Sequence, residues 1–337
     1  MKIGKRDLEQ DVYIIAEIGN NHEGNLSVAL ELIGKAAEAG ADAVKFQTFR
    51  TEFYVDKSVP ERFERLKNFE FSPDQFLILK QAADKLNIPF LSTPFDLFSV
   101  QVLKSMVEAY KISSGDSTFE PLLIEIAKTQ KPIFLSTGLT TLAQIRKSTG
   151  LIQSVWESLN CKQELALLHC VSSYPVPLAE ANLRVIQTLK QCFPDLTIGY
   201  SDHTQGIEAA LVAVALGAKI IEKHFTLAHD FSDFRDHQLS ATPEELKILV
   251  EKIRQQEGML GSGKKEIQPS ELVNLNLVRR SIAAGKNLSA GTCLTWGDIT
   301  WVRPGVGHLV GDEGLFLGKI LNQDISQGTL LKLEMVI

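Results

Sequence analysis

Eight short apolar runs punctuate the chain: VYIIAEIG (12–19), AVKFQTF (43–49), PFLSTPF (89–95), AYKISS (109–114), PIFLSTG (132–138), ELALLHC (164–170), TIGYSDH (197–203) and KIIEKHF (219–225). Between them lie stretches such as LSVALELIGKAAEAGA and PLLIEIAKTQ, with apolar residues near helical spacing. Strands this evenly apolar suit a sheet covered on both faces, which is a parallel one. Strand–helix units repeated over about 250 residues predict a (β/α)8 barrel. A doubly wound sheet ranks second, because no GxGxxG turn follows any strand. The longest connection, about residues 50–72, is expected to be a solvated charged helix, with a lid or an interface as the alternative. Thr242-Pro243 marks the start of the last barrel helix, and GMLGSGKKEIQPSE then breaks the pattern. The expected organisation is a barrel over 1–265, a linker over 266–276 and a small β-rich module over 277–337. That module is expected to bury little core alone and to dock on something.

Composition narrows the class. A hydrophobic content of 44% and a charged content of 23% are those of a soluble globular chain. With a net charge of −6 there is no basic footprint, which argues against nucleic acid or an anionic membrane as partner. No apolar run reaches membrane length, and the opening MKIGKRDLEQD lacks a signal-peptide core. Cys161, Cys170, Cys192 and Cys293 form no CxxC pair and read as reduced thiols, so a cytoplasmic location is expected. Cys170 reads as a packing residue.

Candidate chemistry collects at the strand ends, where a parallel barrel builds its site. Glu17 ends the first run and leads into GNNHEG; Lys45 and Gln47 lie on the second, and Ser92-Thr93-Pro94 ends the third. The fourth carries Lys111, Ser113 and Ser114, the fifth Ser136 and Thr137, and the sixth continues through Ser172 to Tyr174. A lysine on an apolar strand must be desolvated and needs an anionic partner. Lys45 and Lys111, with the hydroxyls of Thr93, Ser114, Ser136 and Ser201, therefore suit a small dianion bearing phosphate or carboxylate. His203 and His224 each end a strand, flanked by Asp202 and Glu222, and could together hold a divalent metal. Such an ion would polarise a carbonyl, with Glu17 placed to move a proton. The residues alone point to a metal-dependent lyase or transferase acting on a phosphorylated small acid.

The segments IIAEIGNNHEGN, AGADAVKFQT, FLSTPFD, AYKISSGD, KPIFLSTGL, LLHCVSSYP, IGYSDHT, GAKIIEKHFT and WVRPGVG, in this order, resemble the sialic acid synthase family from about residue 13 to 337. The resemblance implies a barrel followed by an antifreeze-like (SAF) domain, condensing phosphoenolpyruvate (PEP) with an open-chain N-acetylated hexosamine. It implies a metal, manganese in the first place with Mg2+ or Co2+ as alternatives, on His203 and His224. PEP would be bound by Lys45, Thr93, Lys111, Ser114, Ser136, Ser172 and Ser201. Glu17, Gln47, Asp116, Tyr174, Glu222 and Asp236 match positions around the sugar or metal. Arg303 in WVRPGVG would reach the partner's active site in a domain-swapped homodimer.

Three departures from the family pattern keep the acceptor open. Ser172 stands where an Asn is common, Asp116 replaces a frequent Glu, and AHDFSDFRDHQLS lacks the usual Gly-Pro-Asp-His while keeping Asp236-His237. The acceptor is then N-acetylmannosamine or a 6-deoxy diacetamido hexose. The competing readings are another PEP–aldose condensing barrel, which would need a basic site for an aldose phosphate, and a non-catalytic sugar-binding barrel.

Overall fold

The computed structural model describes residues 1–337, which fall into two compact units, Met1–Gly261 and Ser262–Ile337. In the first, β1 (Lys2–Ile3) and β2 (Arg6–Asp7) form an antiparallel hairpin. Eight parallel strands follow: β3 (Tyr13–Gly19), β4 (Ala43–Thr48), β5 (Phe90–Pro94), β6 (Tyr110–Ile112), β7 (Ile133–Ser136), β8 (Leu165–Cys170), β9 (Thr197–Asp202) and β10 (Ile220–His224). They close into a barrel in chain order, with β10 returning to pair with β3. Each of the eight apolar runs contains one of these strands, so the expected (β/α)8 barrel is the fold. The short hairpin has no counterpart among the runs. It holds Ile3 and Leu8 against the barrel's interior residues Tyr13, Leu91, Phe134 and Ile220.

The helices are α1 (Leu26–Glu38), α2 (Thr51–Tyr54), α3 (Pro60–Phe69), α4 (Pro73–Lys85), α5 (Leu97–Leu103) and α6 (Glu120–Ala127). After them come α7 (Leu142–Ser158), α8 (Val185–Cys192), α9 (Glu208–Ala215) and α10 (Pro243–Leu260). Thr242 caps α10 through the Glu245 N–H, with Pro243 at its first position, as the sequence predicts. The 50–72 connection is neither structureless nor simply solvated. It forms α2 and α3, and Leu66 and Phe69 of α3 pack on Phe49 with Tyr54, Phe95 and Phe234 at the edge.

Strand geometry explains where the chemistry goes. Side chains alternate faces, so residues two apart share one. Toward the interior, β3 sends Tyr13, Ile15 and Glu17, β4 Ala43, Lys45 and Gln47, and β10 Ile220, Glu222 and His224. The same order, apolar first and polar last, recurs on β7 with Phe134 and Ser136. One end of the barrel is thus a packed apolar plug and the carboxyl end a polar cavity. Residues one step out of phase, such as Val44, Phe46 and Ile221, belong to the core shared with the helices.

Lys223 and Asp202 are the charged exceptions on that outer face. Lys223 Nζ lies 3.1 Å from Asp202 Oδ2, with side chains 1% and 0% exposed. Asp202 Oδ1 also accepts from the Tyr200 hydroxyl and from the Thr204 amide and hydroxyl. Asp202, expected beside the histidines, is therefore turned away from them by the strand alternation and serves the barrel wall.

In the second unit a 3₁₀ turn (Pro269–Glu271) and α11 (Leu272–Val278) occupy most of the stretch read as linker. Beyond them β11 (Ser281–Ala284) pairs antiparallel with β12 (Ile299–Val302). Contrary to expectation this small module has a core of its own, in which Ile282, Leu294, Phe316, Leu321 and Leu331 are buried. Short strands joined by isolated bridges, such as Leu288 with Ile325, supply that burial without a long sheet.

Removing one member of a buried ion pair strands the other charge. Lys223→Ala is expected to cost about 3–5 kcal/mol of barrel stability, measured as the shift in urea midpoint at constant slope.

Candidate active site

The cavity at the carboxyl ends of the strands has a volume of about 570 Å³. At its floor Glu17, Lys45, Lys111 and Glu222 are all buried. Lys45 Nζ lies 2.9 Å from Glu17 Oε2 and 3.7 Å from Glu222 Oε1, and donates to Thr93 Oγ1 at 3.0 Å. Lys111 Nζ is 3.1 Å from Glu222 Oε1, which also accepts from Ser201 Oγ at 3.0 Å. The parallel register brings these groups together, aligning Glu17 with Lys45, Glu222 with Ser201 and His224 with Glu17. The lysines thus find their required anions within the barrel, in Glu17 and Glu222.

This cluster splits its acids and bases. Burial drives Glu17 upward, and Lys45 beside it only partly offsets that. Glu222 is buried too, yet Lys111 and Lys45 hold it down at about 2. Burial pushes Lys111 down, with Lys45 adding to the effect against Glu222. For Lys45, burial is outweighed by Glu17 and Glu222, and the group is raised. Glu222 is therefore a fixed anion, and Glu17 the carboxylate able to carry a proton.

Hydroxyls line one side. Ser136 Oγ is buried with no hydrogen-bond partner, a free donor facing the cavity. Ser114 Oγ accepts from the Gly138 amide at 3.1 Å. Gly138 is required there: a Cβ on it would come within 2.6 Å of Ser172 Oγ and 2.7 Å of Ser114 Oγ. Elsewhere on the wall, Gln47 donates to Glu17 Oε1 at 3.2 Å and accepts from Asn20 at 2.8 Å. Asp116 is held by Ser113 at 2.6 Å, and burial raises it. Asp236 is likewise raised by burial.

The rings of His203 and His224 stand 5.3 Å apart, with the Tyr174 ring 4.2 Å from His203. The Val171 carbonyl accepts from His203 Nδ1 at 2.9 Å, which leaves Nε2 as the lone-pair nitrogen. Burial, the neighbouring His203 and Lys45 push His224 well down, so it is a neutral imidazole, and its Nδ1 is buried without a partner. Burial lowers His203 as well, but the Cys170 sulfur and the Val171 carbonyl outweigh it and raise the group. No grouping of three or more His, Cys, Asp or Glu side chains with metal-holding geometry forms in the chain. The residues that could take part in holding a divalent ion here are the two imidazoles of His203 and His224.

Every predicted site residue but one lines this cavity. Arg303 belongs to the second unit, where it is exposed and its Nε donates to the Val278 carbonyl at 2.8 Å. Cys170, expected as packing, is buried but also lines the cavity, 3.6 Å from His203 Nδ1. His22 in GNNHEG is stacked on Phe71 at 4.2 Å and burial holds it at about 3, so it is a packing residue. Sequence reasoning missed Asn20, Tyr54, Arg62, Arg65, Phe234 and Arg235, which line the mouth. The spacing of the arginines on α3 puts both on one helix face, but the sequence does not say which way that face turns.

The four cysteines are free thiols, and no helix is long and apolar enough to cross a membrane. The sequence pattern of the NeuB family matches residues 32–265, and that of the SAF domain matches 279–337. The chain is 40% identical to the N,N'-diacetyllegionaminic acid synthase of Campylobacter jejuni, over 95% of this chain and 98% of that protein. It is 36% identical to the N-acetylneuraminate-9-phosphate synthase of Mus musculus, over 90% and 86% of the two chains. The crystal structure of the N-acetylneuraminic acid (sialic acid) synthetase of Leptospira borgpetersenii in complex with citrate superposes with a TM-score of 0.74 at 39% identity, covering 81% of this chain and 94% of that one. A barrel with this polar floor, the SAF module after it and relatives that span nearly the whole chain place this protein in the NeuB family of sialic, legionaminic and pseudaminic acid synthases.

Proposed function

We propose that the protein condenses PEP with an open-chain N-acylated hexosamine, forming a sialic-type acid and releasing phosphate, as a C–C bond-forming transferase. The observation that carries this reading is the buried Lys45–Glu17–Glu222–Lys111 cluster beneath two histidine rings, with a partnerless Ser136 hydroxyl beside it. With Glu17 able to take a proton, two lysines face one fixed carboxylate, and that surplus together with the free hydroxyl suits a small anion next to a carbonyl that must be polarised.

Lys45 and Lys111 hold the carboxylate and phosphate of PEP, assisted by the hydroxyls of Thr93, Ser114, Ser136, Ser172 and Ser201. Gln47, Asp116, Tyr174 and Asp236 position the sugar, whose aldehyde faces the histidines. When bound by His203 and His224, a divalent ion, Mn2+ or alternatively Mg2+ or Co2+, supplies Lewis-acid polarisation of that aldehyde. The PEP C2=C3 electron pair forms the new bond from C3 to the aldehyde carbon, leaving C2 cationic. Glu222, the fixed anion, stabilises that charge, and Glu17 takes a proton from water as it adds to C2 and passes it to the alkoxide left on the former aldehyde carbon. Cleavage of the bond from C2 to the phosphate oxygen, with the C2 hydroxyl proton leaving on the phosphate, gives the keto acid.

The same reading makes the protein a homodimer in which Arg303 of one copy reaches the cavity of the other. Leu272, Val273, Leu277 and Val278 of α11 are exposed, and Arg303 is exposed beside them in the same unit. A second copy would cover this apolar helix.

Incubating the protein with PEP, Mn2+ and a panel of N-acylated hexoses should release phosphate and yield one acid with the mass of sugar plus pyruvate. Phosphate release without sugar, or none with any acceptor, would overturn the condensation. His203→Ala should abolish metal-dependent turnover while leaving the far-ultraviolet circular dichroism unchanged. Gly138→Ala should raise the KM for PEP about tenfold through the displaced serine hydroxyls, with a smaller change in kcat. Arg303→Ala should raise the KM for the sugar about tenfold or more and leave that for PEP unmoved.

A further inference from the structure

We infer that the GNNHEG connection after β3 is a positioning bracket for Asp236, holding that residue toward the acceptor sugar through Asn21 and Glu23, an inference that rests on the condensation proposed above. Asp236 lies in Arg235–Leu239, a single 3₁₀ turn in the connection after β10. Backbone bonds pin the end of this connection to the strand, the Ala241 amide donating to the His224 carbonyl at 2.7 Å and the Thr226 amide to the Ala241 carbonyl at 3.0 Å. The turn itself is gripped by side chains of the GNNHEG connection at two points. At the first, Asn21 Nδ2 donates to the Phe225 carbonyl at 2.8 Å and to the Ser240 hydroxyl at 2.9 Å, and Ser240 Oγ donates in turn to the Asp236 carbonyl at 2.5 Å. At the second, Glu23 Oε1 accepts from His237 Nε2 at 2.9 Å and from Ser232 Oγ at 2.5 Å. His237 Nδ1 meets the Thr226 hydroxyl at 2.6 Å, and the ring lies 5.1 Å from Phe231 and 5.9 Å from Phe234.

These are interior contacts. Asn21, Thr226, His237 and Ser240 are each 2% exposed or less. Polar groups buried so deeply are costly unless paired, and the pairs they make join one connection to the other. None of the four, nor Glu23, lines the cavity, so their effect on a substrate must pass through a residue that does. Asp236 is that residue. It lines the cavity, and its Oδ1 is buried without a hydrogen-bond partner, with the Arg235 Nε 3.3 Å away. Its backbone is therefore held at its own carbonyl and at the next residue while a carboxyl oxygen is left free. A group fixed in this way binds without first having to be ordered. The residues assigned to PEP stand on or just after β4 to β9, whereas the bracket joins the connections after β3 and β10. Its loss should be felt by the sugar and not by PEP.

Steady-state kinetics with PEP and Mn2+ should compare Glu23→Ala, Glu23→Gln and Asn21→Ala, each alone and combined with Asp236→Ala. The acceptor is N-acetylmannosamine, or the sugar of the panel above with the highest turnover. Each alanine variant should raise the KM for the sugar about tenfold and move that for PEP less than about twofold. Glu23→Gln keeps an oxygen for His237 and should recover part of the loss. In the Asp236→Ala background the same substitutions should add less than about twofold, because the group they position is gone. An equal fold-change in both backgrounds overturns the inference, as does a change shared equally by PEP and the sugar. Should an alanine variant fail to fold, the smaller effect of Glu23→Gln is read in the two backgrounds by the same criteria. Calorimetric titration of the sugar into the Mn2+-loaded proteins gives the same cycle without turnover, where non-additive losses support the bracket and additive ones overturn it. If no acceptor is turned over while the titrated losses are non-additive, the condensation falls and the bracket stands.

Discussion

Two lysines and two carboxylates are buried in the middle of a barrel, and each depends on the opposite charges set beside it. Alone, any of the four would give up its charge rather than lose its water. Here Glu222 sits between Lys111 and Lys45 and is held as a fixed anion at about 2, while burial lifts Glu17 above its ordinary value. Carboxylates whose environments push them apart take different tasks, one electrostatic and one in proton transfer. The rest of the interior follows from holding this set still. The barrel closes in chain order, the apolar plug of Tyr13, Leu91 and Phe134 fills the end beneath, and the register sets Glu17 against Lys45.

The barrel was legible because its strands are buried on both faces and read as evenly apolar runs. That evenness also hid something. In KIIEKHF the alternation of faces is masked, since inward and outward positions each mix apolar and polar residues. Glu222 and His224 turn in, whereas Lys223 turns out to Asp202. The lysines at 45 and 111 stood out for the opposite reason, as isolated charges whose neighbours along the strand are apolar. The arginines at 62 and 65 did not. On a charged helix every face looks solvated until a buried contact, here Leu66 with Phe49, shows which side meets the cavity. The second unit was read as too small for a core, because its apolar residues lie singly along irregular chain. Isolated bridges between distant segments bring Ile282, Phe316 and Leu331 together, a long-range effect that local pattern does not carry.

Strand and loop divide the work of the site. The groups expected at the reacting atoms, Glu17, Lys45, Lys111, Glu222 and the histidines, stand on or immediately after barrel strands, where backbone hydrogen bonds fix them. The groups at the mouth come from connections: Tyr54, Arg62 and Arg65 from the segment after β4, and Phe234, Arg235 and Asp236 from that after β10. The relatives share the family pattern yet bear the names of different acids. A barrel built this way can keep one floor and change what it accepts by changing two connections. A strand position cannot vary so freely, since each inward residue touches its neighbours across the barrel and each outward one is packed under helices. Gly138, just past the end of β7, shows that the first residues of a connection can be as tight, since an added carbon there would come within 2.7 Å of two serine hydroxyls. The exposed arginines of α3 carry no such constraint and can vary at little cost to the fold.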